Sequence, residues 1–439
     1  MFNNPQDHQQ TNSVVAVSIG LAMLLLIALL TEPCVAQRNR RNARNRAVKD
    51  VSAESVRQSV AQGVRFLKDQ RSRNGSWAKK VGIGDVTALA TLALLNAGED
   101  PKSPLIQGSL DYIESQMHEG NLTTYSAGLK IMVLAMADSE GKRYRRDVQR
   151  TVDWLVEQQS RSGGWSYGMG GRGSGDSSNS QFAILGLHEA SKMGIEIDQR
   201  VWERAQEYWK ACFVAGGGFG YHPNDGKPYP SMTCAGISSW IIVEENLAKF
   251  RDLIDGDRAV CCDVVDRMGP VEKSIDRLGR NFGTRSRNGA QYYYLYALER
   301  AGRLSGQRFF GRHDWYRAGA QTIVSQQNRI TGAWRGKTLG EEVEVIATSM
   351  ALLFLAKGKR PVAIGKYQYG NDDQWNQHPK GVHYLTRELE KQWKTKLNWQ
   401  TVRSRDATVD NLLESPVLHI SGSEAILLNE FQKENLKKY

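Results

Sequence analysis

Residues 154–165, WLVEQQSRSGGW, decide the architecture, because their frame returns at 66–77 (FLKDQRSRNGSW) and at 323–334 (IVSQQNRITGAW). Each copy opens with a large apolar residue (Trp154, Phe66, Ile323) followed at fixed spacing by Gln (Gln158, Gln70, Gln327), Gly (Gly163, Gly75, Gly332) and Trp (Trp165, Trp77, Trp334). Self-similarity of this kind is the mark of stacked structural units. Two weaker copies lie between the strong ones. Tyr208, Cys212, Gly217 and Phe219 keep the spacing with Cys in place of Gln, whereas Tyr112 and Gln116 keep only its start, with Gly120 one residue early.

The sequence around each copy repeats as well. VRQSVAQGVRFLKDQ, VQRTVDWLVEQQ and YRAGAQTIVSQQ run into the three strong copies, with apolar residues at helical spacing and one polar side. After the copies come six Ala- and Leu-rich runs: DVTALATLALLNAG, TYSAGLKIMVLAMAD, SNSQFAILGLHEAS, MTCAGISSWIIVEEN, YYYLYALERAG and VIATSMALLFLAKG. Several end in Gly, as a helix C-terminus does. Each unit is therefore a hairpin of a polar outer helix and an apolar inner one, recurring roughly every 40 to 55 residues. Small residues on several faces of the inner helices (Ala88, Ala90, Ala127, Gly128, Ala183, Gly186, Ala235, Gly236, Ala347) let neighbours approach on both sides. The expected fold class is all-α, an (α/α)6 toroid of helical hairpins over residues 51–358 with a short α/β C-terminal segment. An open solenoid of helix pairs is the competing arrangement.

The QxxxxGxW frame resembles the repeat of squalene and oxidosqualene cyclases and of protein prenyltransferase β subunits, the α/α-toroid superfamily. The resemblance covers about Val51 to Lys357. It implies that the repeated Gln and Trp are structural, tying helix ends together on the outer surface. It also implies that ligands sit in the central cavity at one end of the inner helices.

The chemistry of those enzymes is not matched. The cyclase DxDDTA motif corresponds to Ile83-Gly84-Asp85-Val86-Thr87-Ala88, which keeps one Asp without the flanking carboxylates that tune such an acid, so Asp85 reads better as a helix N-cap. The prenyltransferase zinc site needs Asp-x-Cys, but Met232 stands two residues before Cys234, and the last inner helix holds no His. Cys234 then reads as a small buried residue. No metal and no cofactor are expected. A glycan-active reading would use Asp176 with Glu342 or Glu344. The weak catalytic candidates are Asp85 and Asp176. The candidates for binding at the cavity mouth are Tyr125, Gln181, Tyr221, His222, Cys234, Gln291, Tyr292 and Glu344. Gly168, Gly170 and Gly173 fit GxGxxG but follow no strand, which excludes a dinucleotide site. The stretch around them reads as a loop over the mouth, and Asp314 as the N-cap of the last outer helix.

Charge and composition narrow the classes further. With 40% hydrophobic and 24% charged residues, the chain is neither disordered nor collagen-like. Of the net charge of +11, Arg38, Arg40, Arg41, Arg44, Arg46 and Lys49 against Asp50 place +5 within residues 37–50, so no nucleic-acid surface is indicated. Val14–Leu30 carries no charge, and Cys34 and Ala36 stand at minus three and minus one of a cut before Gln37. Residues 1–36 therefore read as a signal peptide. The absence of Lys and Arg ahead of the apolar run supports the alternative of an N-terminal membrane anchor. Residues 37–50 read as a basic spacer able to rest on anionic lipid. Five cysteines (Cys34, Cys212, Cys234, Cys261, Cys262) are too few for a disulfide scaffold, and the Cys261-Cys262 pair lacks zinc-site spacing.

Beyond the repeats, residues 359–382 read as a polar linker and 383–439 as an incomplete α/β segment. The segment holds a helix in HYLTRELEKQWK, strands in LNWQTV and SPVLHISG, and a last helix in LNEFQKENLKKY. Its last 45 or so residues resemble the opening of a glutamine-amidotransferase-like α/β domain fused behind such toroids in bacterial envelope proteins. The expected function is that of an exported, non-catalytic module whose central cavity binds a hydrophobic ligand, a glycan or an envelope protein. An enzyme of isoprenoid or glycan chemistry with an atypical acid is the competing expectation.

Overall fold

Among the described residues, twelve helices of the ring alternate between two concentric layers. The computed structural model describes residues 51–439 apart from 78–85, 139, 168–172, 251–253, 256–257, 260–268, 287–288, 357–360, 371–373, 377, 379 and 423–424. The apolar and basic N-terminal stretches, Asp85, Gly168, Gly170 and the Cys261-Cys262 pair lie outside the described residues. The outer helices are α1 (Ala53–Asp69), α3 (Pro104–Gln116), α5 (Arg145–Glu157), α7 (Gln199–Cys212), α9 (Gly269–Arg280) and α11 (Trp315–Gln326). The inner helices are α2 (Val86–Asn96), α4 (Thr124–Ala137), α6 (Ser177–Lys192), α8 (Pro230–Leu247), α10 (Gln291–Ser305) and α12 (Glu344–Leu355).

Burial separates the layers as the sequence patterns require. In α5 only the face with Val148, Thr151, Val152, Trp154 and Leu155 is covered, whereas α12 is buried at every position from Val345 to Leu355. Each inner helix packs on the next in the order α2, α4, α6, α8, α10, α12, and α12 returns to α2. The ring is thus closed and the solenoid excluded. At the seam between α4 and α6, a Cβ on Gly186 would come within 2.8 Å of the Gly128 Cα, so the small residues are what let these axes approach.

The repeated frame builds one tie at each turn. The indole Nε1 of Trp77, Trp165 and Trp334 donates to the carbonyl of Leu67 (2.6 Å), Leu155 (2.7 Å) and Ile323 (2.7 Å) near the end of the preceding outer helix. The backbone N–H of the same tryptophans donates to a hydroxyl in the inner helix that follows: Thr87 (3.2 Å), Ser180 (2.9 Å) and Thr348 (3.0 Å). In the fourth unit the Phe219 N–H does the same to Thr233, at 3.2 Å. The frame's glycine has positive φ in Gly75, Gly163, Gly217 and Gly332. At Gly163 a Cβ would overlap the Arg204 carbonyl of the next outer helix.

Two expectations about the frame are corrected here. The tryptophans are buried in the turns instead of lying on the outer surface. The glutamine link is also not held by one frame position. Gln327 Nε2 spans from Gly332 O (2.8 Å) to Ser59 O of α1 (3.0 Å), but in the second copy Gln159, not Gln158, joins Gly163 O (2.8 Å) to Val201 O (3.0 Å). In the first copy Arg71 Nε reaches Ser109 Oγ at 3.1 Å, while Gln70 is exposed. The third copy carries one more residue between the accepting carbonyl and its Trp, which moves the bridging side chain by one position.

The stretch read as a linker is corrected too, because it contains a strand. A three-stranded parallel sheet has β1 (Val362–Gln368) at its centre, flanked by β2 (Asn398–Arg403) and β3 (Val417–His419). Lys366 interrupts the apolar run of β1, which hid the strand in the sequence. Helix α13 (Gly381–Trp393) connects β1 to β2, α14 (Val409–Leu412) lies between β2 and β3, and α15 (Glu430–Lys438) ends the chain. Small cores on the sheet gather Tyr367, Trp375, Val402 and Leu412 in one cluster and Ile364, Val382 and Leu397 in another.

The sheet does not stand alone. Thr401 N donates to Gly306 O (2.6 Å) at the C-terminal end of α10, Trp399 lies over Gly306, and Arg403 donates to Phe309 O (3.0 Å). Arg308 pairs with Glu414 and, at 2.9 Å, with Asp314, which is the N-cap of α11 as expected. On α13, Arg387 pairs with the buried Glu245 of α8, and His383 Nε2 lies 3.5 Å from the same carboxylate. The α/β segment therefore docks on the toroid at the C-terminal ends of the inner helices. Among the described residues no helix is long and apolar enough to cross a membrane.

Candidate functional site at the mouth of the ring

The N-terminal ends of α4, α6 and α10 converge at the opposite end of the ring, where the Trp165 tie orders the loops. Asp176 N donates to Trp165 O (2.7 Å), Thr124 Oγ1 donates to Ser166 O (2.9 Å), and Ser177 N donates to Tyr221 O (2.9 Å). Asp176 is the N-cap of α6. Its Oδ1 accepts from Ser178 N (3.1 Å), Asn179 N (2.9 Å) and Ser178 Oγ (2.6 Å), and its Oδ2 accepts from Asn179 Nδ2 (2.8 Å). Four donors from its own first turn make this carboxylate the cap of α6.

Around this cap stands a group of phenols. The Tyr125 ring stacks on Tyr167 at 5.7 Å and tilts against Phe182 at 4.3 Å. Tyr221 Oη lies 3.2 Å from Ser178 Oγ, and Tyr293 Oη donates to Gln181 Oε1 at 3.2 Å. Burial pushes the hydroxyls of Tyr125 and Tyr293 well above the ordinary phenol value, so both stay neutral donors. Gln181 has no solvent exposure, and its Nε2 has no partner among the described residues. An unmade hydrogen bond on a buried amide costs about 1–3 kcal/mol, which a bound acceptor would recover. Tyr167 is half exposed.

Of the expected mouth residues, Tyr125, Gln181 and Tyr221 are thus brought together. His222 stands at the rim, exposed, with its ring edge against Tyr221 (4.8 Å) and Nδ1 3.1 Å from Gly175 O. Glu344 opens α12 and is half-buried. Three expectations are corrected. Cys234 is fully buried in α8, and burial pushes its thiol up, so it is a core residue. Gln291 accepts from Ser286 N (3.0 Å) and donates to Thr284 O, which spends its amide on the loop before α10. Tyr292 turns toward α11, its hydroxyl donating to Gln326 Oε1 at 3.2 Å. Its neighbour Tyr293 takes the inward position, because successive helical residues point about 100° apart. Among the described residues no group of three His, Cys, Asp or Glu side chains is placed to hold a metal ion.

One further carboxylate was not singled out from the sequence. Glu341 is buried, with Oε2 accepting from Gln291 N (2.9 Å) and Oε1 from Tyr293 N (2.7 Å), so it pins the loop before α12 to the start of α10. Burial outweighs these backbone N–H groups and raises its pKa to about 7. The unfolded chain releases this proton near the ordinary value of 4.5, so the folded state binds more protons between about pH 4.5 and pH 7. Stability is therefore expected to fall as pH rises through that window, by about 3 kcal/mol, and to level off above it. Urea unfolding at pH 5 and pH 7 checks this: Glu341→Gln should flatten the difference, and an unchanged slope would assign it to other groups.

A groove of about 980 Å³ also opens between the end of α6, the start of α7 and the end of α8, where Lys249 Nζ donates to Ser191 Oγ (2.6 Å) and Asn246 Oδ1 (2.7 Å). It lies at the other end of the inner helices from the phenol cluster.

No family model and no curated protein matches the chain. Solved structures do match. The GH76A α-1,6-mannanase from Salegentibacter sp. HEL1_6 aligns at 10% identity over 69% of this chain and 99% of its own, with a TM-score of 0.51. An inactive variant of that enzyme in complex with α-1,6-mannotetrose gives 10% identity over 69% of this chain and 99% of its own, with a TM-score of 0.52. The fold is an α/α toroid. The type II terpene cyclase MstE from Scytonema aligns at 12% identity over 70% of this chain and 99% of its own, with a TM-score of 0.45. Identities this low speak for the fold alone.

Proposed function

We propose that this α/α toroid is an exported, non-catalytic binding module of the cell envelope, and that its mouth takes a neutral, hydroxyl-bearing ligand of the glycan kind. The observation that carries this reading is the grouping of Tyr125, Tyr167 and Tyr221 around Tyr293, which donates to Gln181, whose buried Nε2 has no partner among the described residues. Aromatic faces and neutral donors suit a polyol, and the neighbouring carboxylates, Asp176 and Glu341, have oxygens already held by backbone N–H groups. Export rests on the apolar run at residues 14–30 and the small residues Cys34 and Ala36. A mass beginning at Gln37 in protein from its own host would support cleavage, and a retained Met1 would support the anchor.

Titration of tryptophan and tyrosine fluorescence with a panel of neutral oligosaccharides tests the binding. A saturable response without product is expected, weakened about tenfold by Gln181→Leu or Tyr293→Phe, each of which deletes one hydrogen bond to the ligand or its partner. Turnover that disappears in Asp85→Asn would favour an enzyme instead. Binding of an isoprenoid alcohol in preference to every sugar would replace the glycan reading.

A further inference from the structure

The sheet order places β1 between β2 and β3, so the chain leaves β1 to one side and then crosses to the other. The gap between β1 and β3 is the topological switch point of the sheet, and ligands of open parallel sheets bind beyond the carboxyl ends of the strands at such a point. Two basic residues occupy it. Lys366, near the end of β1, is paired in register with His419, the last residue of β3. Lys366 is 1% exposed, and among the described residues its Nζ contacts neutral oxygens, Asn376 Oδ1 (2.6 Å) and His378 O (3.0 Å), with the Trp375 ring 5.2 Å away. Among the described residues no carboxylate pairs with it. His419 has a buried Nδ1 without a partner among the described residues, and the groups acting on its ring include Lys366 and His378, both basic. A buried cation without a carboxylate partner among the described residues is costly, and drawing further basic groups toward it adds to that cost. Burial accordingly lowers the Lys366 pKa to about 8 and depresses that of His419.

We propose that the switch point of the C-terminal sheet is an oxyanion site, at which Lys366 and His419 hold the phosphate or carboxylate group of a small molecule. Lys366 supplies the charge, and His419 Nδ1 donates once the ring carries its proton there. His378, one turn ahead of α13, adds to the positive field. The site is separate from the phenol cluster at the mouth, so its test stands apart from the glycan reading.

Thermal unfolding of the full chain, with inorganic phosphate or acetate titrated against sodium chloride at constant ionic strength, reads the site directly, because a ligand of the folded state raises Tm with saturation. A saturable rise above the chloride control is expected at pH 6.5. Phosphate alone would assign a phosphoryl group, acetate alone a carboxylate, and both a general oxyanion. Lys366→Met should weaken the response about tenfold or more. Should that variant fail to fold, His419→Gln, at a half-buried position, serves the same purpose. No rise over chloride, or an equal rise in wild type and variant, would overturn the proposal.

Discussion

Trp165→Ala is expected to destabilise the toroid by about 3–5 kcal/mol, whereas Trp165→Phe should cost only about 1–2 kcal/mol. The indole is fully buried, and its Nε1 ties the turn to Leu155 O at 2.7 Å. The fourth unit already shows that a phenyl ring can fill the place: Phe219 stands at the frame position of Trp, and its N–H keeps the bond to the hydroxyl of the following inner helix. Alanine empties the site and phenylalanine loses one hydrogen bond, so urea denaturation of the two variants separates packing from the tie. Equal losses would mean that the hydrogen bond, not the ring, holds the turn. The effect should reach the mouth as well, because Trp165 O accepts the N–H of Asp176.

Arg387→Met is expected to cost about 3 kcal/mol and to loosen the α/β segment from the toroid. Glu245 is buried, and the two groups of α13 that meet it are Arg387 and His383. Burial holds the His383 pKa down to about 4, so at neutral pH this ring is uncharged and Arg387 alone neutralises the carboxylate from that side. Removing it strands a buried charge. Pairing Arg387→Met with Glu245→Gln should restore most of the loss, since the cost lies in the orphaned carboxylate. Limited proteolysis should follow the same order, with the single variant cut fastest. A double variant as weak as the single one would show that packing, not charge, secures the dock.

The toroid was legible because its repeat encodes a contact. A glycine that must pass a neighbouring carbonyl, with a tryptophan two residues on, leaves little latitude in sequence, and the alternation of one-sided and fully apolar helices follows from which layer each occupies. Part of the mouth was legible for the same reason, since it lies at inner-helix starts. The phase of α10 was not. Three consecutive tyrosines at 292–294 give no clue to which faces inward, and only packing selects Tyr293. Glu341 was hidden in GEEVEV, where three glutamates compete and burial chooses one. The strand β1 was missed because Lys366 breaks its apolar run, and that same lysine marks the switch point.

Ring closure has a consequence for synthesis. Gln327 meets Ser59 across 268 residues of chain, and Trp334 packs where Gly63 leaves room in α1. A ribosome that has released five hairpins has therefore made two apolar flanks, one at each end of the arc, with nothing yet to cover them. Contacts so distant in sequence form late, and exposed apolar flanks are what aggregation and chaperones recognise. The first helix must wait, partly bare, for the last unit to arrive.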